Sequence, residues 1–263
     1  INLVMKIYNS LKIIKKFQKS IIAIGNFDGA HIGHQKIFNY GLKKAKKKGL
    51  KFGILTFDPH PAFFFNKNLK NHNIYSNKQT IENLKKLSID FVVSLKFDKK
   101  FSKTSYKDFI KKILYKKLRS KFIIVSNNFK FGQNRKGDVS KLKELENKFG
   151  YKTIIIKPFK KNRRVISSTY IRNLIKNGKI KKANILLGRK WEIIEKVIKG
   201  DQRGKKIGYP TCNFNIDNYV LPKRGVYSVN IAIKGINKQG IANFGYRPTV
   251  GGKKLILEVN IFG

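Results

Sequence analysis

The chain reads as an α/β protein in two parts: a parallel sheet covered by helices, then a small β-barrel. Three observations predict this. From residue 21 to about 174, short runs rich in Ile, Val and Phe alternate with amphipathic stretches. The apolar residues of those runs are consecutive rather than alternate, as in strands buried on both faces. From about residue 186 the alternation gives way to short runs punctuated by Gly, Pro and Asn, the pattern of an all-β module.

Strands are expected at 20–25 (SIIAIG), 51–57 (KFGILTF), 91–95 (FVVSL), 121–125 (KFIIV) and 152–157 (KTIIIK). Helices are expected between them, at 35–48, 79–87, 106–115 and 139–149. The second part contributes the runs 191–200, 209–214, 225–233 and 255–262. A boundary near residues 183–186 divides the chain into domains 1–183 and 184–263. Ligands of parallel sheets bind beyond the carboxyl ends of the strands. The unusual residues cluster there, just after Gly25, Phe57 and Val125.

Composition narrows the class. Of 263 residues, 41% are hydrophobic, enough for a packed core. Lys and Arg number 59 against 14 Asp and Glu, a formal charge of +45. Such a surface attracts polyanions. The charge is nevertheless spread through runs such as 43–48, 111–117 and 179–182 and is mostly Lys. That distribution reads as solvated faces filled by compositional drift, so any nucleic-acid binding is expected to be weak and electrostatic. The single cysteine, Cys212, excludes an internal disulfide and fits a reducing cytoplasm. The N-terminal stretch has no signal-like apolar core and no segment approaches membrane-span length. A soluble cytoplasmic protein without a membrane partner is the expectation; the oligomeric state is open.

The densest signal is GNFDGAHIGH at 25–34, between the first strand and the first helix of the alternation. Gly25, Gly29 and Gly33 let backbone approach a ligand closely. His31 and His34, three apart, can both face a phosphate at a helix entrance, where free N–H groups and the helix dipole favour anions. His72 has no motif around it and reads as a surface residue.

The string GNFDGAHIGHQ, followed by LTFDPHP at 55–61, resembles the prokaryotic bifunctional riboflavin kinase/FAD synthetase family. Its HxGH core is that of the nucleotidyltransferase superfamily. Further blocks agree in order: NNFKFGQNRKGD (127–138), ISSTYIR (166–172) and LLGRKWEIIEKVIKGDQRGKKIGYPTCNF (186–214). The resemblance implies a Rossmann-like nucleotidyltransferase domain that makes FAD and pyrophosphate from FMN and ATP. After it would come a β-barrel that phosphorylates riboflavin with ATP and Mg²⁺.

Residue roles follow from the same resemblance. His31 and His34 would contact the ATP phosphates and stabilise the transition state. Gly25, Asn26, Phe27, Asp28 and Gly33 would form the nucleotide loop, and Ser167, Ser168, Thr169 and Arg172 would bind phosphate from the far side. Phe57, Asn128 and Phe129 are flavin candidates, with core packing the competing role for both rings. Ser126 and Asn128 stand where the family carries Gly and Asp. In GYPTCNF (208–214), Thr211 and Asn213 would hold Mg²⁺, and Glu258 would be general base on the riboflavin hydroxyl. The glycine-spaced, basic segment 200–208 suits either a loop that wraps a triphosphate or an ordinary turn. Asn260 replaces a family His, and the chain stops before the expected last strands and helix, so the kinase half reads as C-terminally shortened. A FAD synthetase with a silent kinase remnant and a basic nucleic-acid-binding protein are the alternatives.

Overall fold

The computed structural model describes residues 5–161, 163–198, 210–249 and 252–262. The chain forms two compact units: residues 1–69 with 77–168, and residues 70–76 with 169–263.

The first unit is built on a six-stranded parallel sheet in the order β1-β4-β3-β2-β5-β8. Its strands are β1 (Lys6–Tyr8), β2 (Ile21–Ile24), β3 (Phe52–Asp58), β4 (Phe91–Lys96), β5 (Phe122–Ser126) and β8 (Lys152–Ile156). Alternate side chains enter two apolar clusters. Ile22, Ile24, Leu55, Val93, Ile123 and Val125 join one, while Ile21, Ala23, Ile54, Val92 and Ile124 join the other. Separate clusters fed by alternate residues mean that both faces are covered, the physical reason the strands read as continuous apolar runs. The expected strands and helices are present with ends shifted by a few residues. Sequence reading missed β1, a three-residue edge strand too short to carry a pattern.

The helices are α1 (Ile32–Lys48), α2 (Pro61–Phe65), α3 (Asn77–Lys85), α4 (Lys99–Ser102), α5 (Tyr106–Asp108), α6 (Val139–Glu144) and α7 (Glu146–Phe149). A π-helical stretch, Phe109–Lys117, continues α5 and buries Phe109, Ile110, Ile113 and Leu114. Two short hairpins complete the unit: β6 (Lys130–Phe131) with β7 (Gly137–Asp138), and β9 (Lys160–Lys161) with β10 (Arg164–Val165).

The second unit holds most of α8 (Ser168–Lys176), with α9 (Ile180–Leu187) and a five-stranded antiparallel sheet. The sheet order is β11 (Val197–Ile198), β12 (Thr211–Phe214), β15 (Gly252–Ile261), β14 (Ile236–Thr249) and β13 (Gly225–Ile233). One face carries Ala242, Phe244, Leu257 and Val259 into a core with Ile216 and Tyr219. Among the described residues this sheet is open: β11 and β13 are its edges and no closed barrel forms. Segment 70–76 is sewn into the same unit. The Val220 N–H donates to the Asn73 carbonyl at 2.7 Å, and the Trp191 indole N–H donates to the Ile74 carbonyl at 2.9 Å. The Arg172 Nε–H donates to the His72 carbonyl at 2.7 Å. His72 is half-buried, and burial, with the Arg172 and Lys176 charges, lowers its imidazole from 6.5 to about 4.

Two outcomes are expected. A Cβ on Gly53 of β3 would lie 2.2 Å from the ring of Phe91, its register partner on β4. Gly53→Ala therefore overpacks the sheet and costs about 1–3 kcal/mol in urea unfolding, and Phe91→Leu in the same chain recovers part of it. The His72 value is lower folded than unfolded, so its contribution to stability is complete above the unfolded value. That contribution is lost as pH falls from 6.5 toward about 4, because the unfolded chain takes up the proton first. His72→Gln should flatten the fall in urea midpoint across that window. An unchanged slope would place the acid sensitivity elsewhere.

Candidate active site

In the first unit, β2 is flanked by β3 on one side and β5 on the other. The connections leaving β2 and β5 therefore diverge at the carboxyl edge, which opens a crevice of the kind that takes nucleotides. The loop after β2 fills that position. The Gly25 N–H donates to the Leu55 carbonyl at 3.1 Å, and the Thr56 hydroxyl donates to the Asn26 carbonyl at 3.4 Å. The chain then turns sharply, with φ of 50° at Phe27 and 79° at Gly29. A left-handed Phe is uncommon and is held only where its surroundings over-determine it. Here the ring of Phe27 packs edge-on to Phe38 at 4.9 Å and to His34 at 5.2 Å. A Cβ on Gly25 would come within 3.0 Å of the same ring.

His31 is the N-cap of α1, its Nδ1 accepting the His34 N–H at 3.3 Å. The two imidazoles stack with centroids 3.6 Å apart and planes 20° from parallel. His31 is buried and His34 half-buried. A Cβ on Gly33 would lie 3.1 Å from the His31 ring, so the small residue lets the ring lie against the helix start. Seventeen residues of α1 follow, and their aligned peptide dipoles leave positive charge at the end where the two rings sit.

Several predicted residues gather around this loop. Asp28 is buried, and its carbonyl accepts the Ser168 hydroxyl at 2.8 Å. Gln35, which sequence reading passed over, donates through Nε2 to the Ala30 carbonyl at 3.0 Å. Its place at the end of GNFDGAHIGHQ was the available signal. Ser167 is half-buried beside Ser168 in the first unit. Thr169 is exposed and Arg172 is buried within the second unit.

The candidate flavin residues sit at two strand ends. Phe57, half-buried at the end of β3, packs against Phe97 and Phe101 at 5.9 and 5.4 Å. Phe129, past β5, stacks on Phe131 at 5.3 Å. Both rings pack on the apolar core. Exposed Asn128 accepts the Ser126 hydroxyl at 2.8 Å, so the two departures from the family pattern are bonded to each other.

In the second unit the register places Thr211 opposite Asn260 and Asn213 opposite Glu258. Glu258 in turn lies opposite Asn243. Residues that face each other across a ladder share a face, so these five side chains stand on the face opposite the apolar core. Asn243 is brought beside Glu258 by the ladder, which sequence reading did not foresee. Asn213 is buried, and among the described residues its Oδ1 has no hydrogen-bond partner. A buried acceptor left over beside a Thr hydroxyl is an oxygen donor set suited to a hard cation that keeps most of its waters. The predicted segment 200–208 lies outside the described residues.

Comparison with known proteins agrees with both halves. A family model described as FAD synthetase matches residues 13–170, and one described as riboflavin kinase matches residues 187–263. A bifunctional riboflavin kinase/FMN adenylyltransferase from Buchnera aphidicola is 38% identical, over 98% of this chain and 84% of that one. The proteins of that name from Haemophilus influenzae and Bacillus subtilis are 33% and 34% identical. They cover 99% and 95% of this chain, and 84% and 80% of their own lengths are matched. A crystal structure from Streptococcus pneumoniae, named as a macrolide-efflux protein, superposes with a TM-score of 0.83 at 29% identity, over 98% of this chain and 84% of that one. Among the described residues of this chain no helix is long and apolar enough to cross a membrane. The chain belongs to the bifunctional riboflavin kinase/FMN adenylyltransferase family.

Proposed function

We propose that the chain carries out both reactions for which its relatives are named, with residues 1–183 forming FAD and residues 184–263 forming FMN. It is an enzyme of flavin-cofactor biosynthesis. The observation that supports the first activity best is the stacked His31–His34 pair at the start of α1. In adenylyl transfer a phosphate oxygen of FMN attacks the α-phosphorus of ATP, and the bond to the bridging oxygen breaks to release pyrophosphate. Such a reaction needs alignment and charge neutralisation more than covalent help from the protein. His31 and His34 supply imidazole contacts to the phosphates, and the helix start adds N–H donors and a positive dipole end. Gly25, Asn26, Phe27, Asp28 and Gly33 shape the loop that receives the nucleotide.

Ser167, Ser168, Thr169 and Arg172 bind phosphate in this reading. The hydrogen bond from Ser168 to Asp28 gives Ser168 a second duty, holding the nucleotide loop in place. Phe57, Asn128 and Phe129 contact the flavin, the two rings by their exposed edges.

In the second reaction Glu258 takes the proton from the riboflavin 5′-hydroxyl as that oxygen attacks the γ-phosphorus of ATP, and ADP leaves. Thr211 and Asn213 hold Mg²⁺. When bound, the ion neutralises nucleotide phosphate charge. The enzyme works in the cytoplasm on these small molecules, and its Lys-rich surface gives only weak, salt-sensitive attraction to nucleic acid.

Separating products by HPLC after incubation with ATP and Mg²⁺ tests both activities. Wild-type chain should give FAD from riboflavin and from FMN. Replacing His31 and His34 together by Ala should lower FAD formation from FMN by about 10²-fold or more while riboflavin is still phosphorylated. Glu258→Gln should do the reverse, slowing FMN formation by about 10²–10⁴-fold with FAD formation from FMN intact. FAD from FMN alone in the wild type would reduce residues 184–263 to a remnant. Unchanged FAD formation in the double-His variant would end the assignment of that site.

A further inference from the structure

We infer that Asn260 is a positioning residue for the nucleotide-metal end of the kinase site: its side-chain amide fixes the backbone that presents Thr211. The inference rests on the reading of Thr211 and Asn213 as metal ligands.

Thr211 opens β12. On one edge β15 pairs with all four residues of the strand, from Thr211 to Phe214. The residue before Thr211 is Pro210, which lacks an N–H and so cannot extend the ladder as a donor. Its carbonyl is the remaining handle, and Asn260 takes it: Nδ2 donates to the Pro210 oxygen at 3.0 Å. Asn260 is the register partner of Thr211 and lies two residues from Glu258 on the same face. One side chain thus ties the start of the strand carrying Thr211 and Asn213 to the strand carrying the general base.

A metal site is sensitive to such a tie because groups that hold the ligands in place are felt in metal affinity. A neutral side chain with an N–H donor is what the contact requires. Histidine, which the family resemblance places here, also has one. Alanine has none and leaves the Pro210 carbonyl to water.

The test is Mg²⁺ titration of the isotope-labelled full chain at saturating ADP, following the Thr211 and Asn213 amide resonances by NMR. In Asn260→Ala the Mg²⁺ midpoint at these amides should rise about fivefold, the effect of one net hydrogen bond. Asn260→His should stay within about twofold of wild type, since it restores the donor. Amides of the loop at 25–34 should respond to nucleotide alike in all three chains. Dispersed β14 and β15 amides in each variant verify that the sheet has formed. Equal midpoints in wild type and Asn260→Ala, or a His variant as weak as the Ala variant, overturn the inference and leave the metal reading standing. Wild-type Thr211 and Asn213 amides that ignore Mg²⁺ at saturating ADP overturn the metal reading itself, and the inference with it.

Discussion

The first unit depends on burying a parallel sheet on both faces. β2 is buried along its whole length, with β3 and β5 as its neighbours. In a parallel sheet such a strand needs a crossover before the chain can enter the sheet again. The loop after it must turn at once and feed a helix that packs back over the sheet. The left-handed Phe27 and Gly29 and the immediate start of α1 after His31 are how this chain meets that demand. The strained turn and the helix start together place two imidazoles where backbone donors and dipole already favour an anion.

The same residues serve structure and chemistry there. His31 caps a helix, a role that Ser, Asp or Asn fills more often, and it stacks on His34 while doing so. Phe27 is both the hinge of the turn and the ring against which His34 rests. A substitution chosen to probe catalysis in this loop therefore also probes the helix start. Losses of activity and of stability have to be read separately for each variant.

The second unit follows a different rule. An antiparallel sheet can leave one face uncovered, and here one face packs on Ile216 and Tyr219 while the other carries Asn213, Glu258 and Asn260. Alternation along β12 and β15 keeps the polar set together. A one-residue slip of β12 would turn Asn213 toward the core and Phe214 away from it, and a slip of β15 would do the same to Glu258 and Leu257. The register that holds the apolar face together thus also assembles the candidate kinase residues.

Much of this was legible in the sequence. Continuous apolar runs announced the doubly covered sheet because burial on both faces favours apolar residues at successive strand positions. The spacing of His31 and His34 after a strand announced two imidazoles at a helix start, because a strand-to-helix junction dictates where those side chains go. What the sequence could not decide was pairing at a distance. That Ser168 would hold the Asp28 carbonyl, that Asn128 would bond Ser126, and that Asn243 and Asn260 would join Glu258 and Thr211 on one face depend on strand order and register. So does the fate of the β module, whose runs predict strands but not whether their edges close. Local chemistry fixes which residues can act, because propensity and periodicity are carried by neighbours in the chain. Which of them act together was decided by tertiary structure, because contacts between residues far apart in the chain form only when the whole sheet chooses a single register.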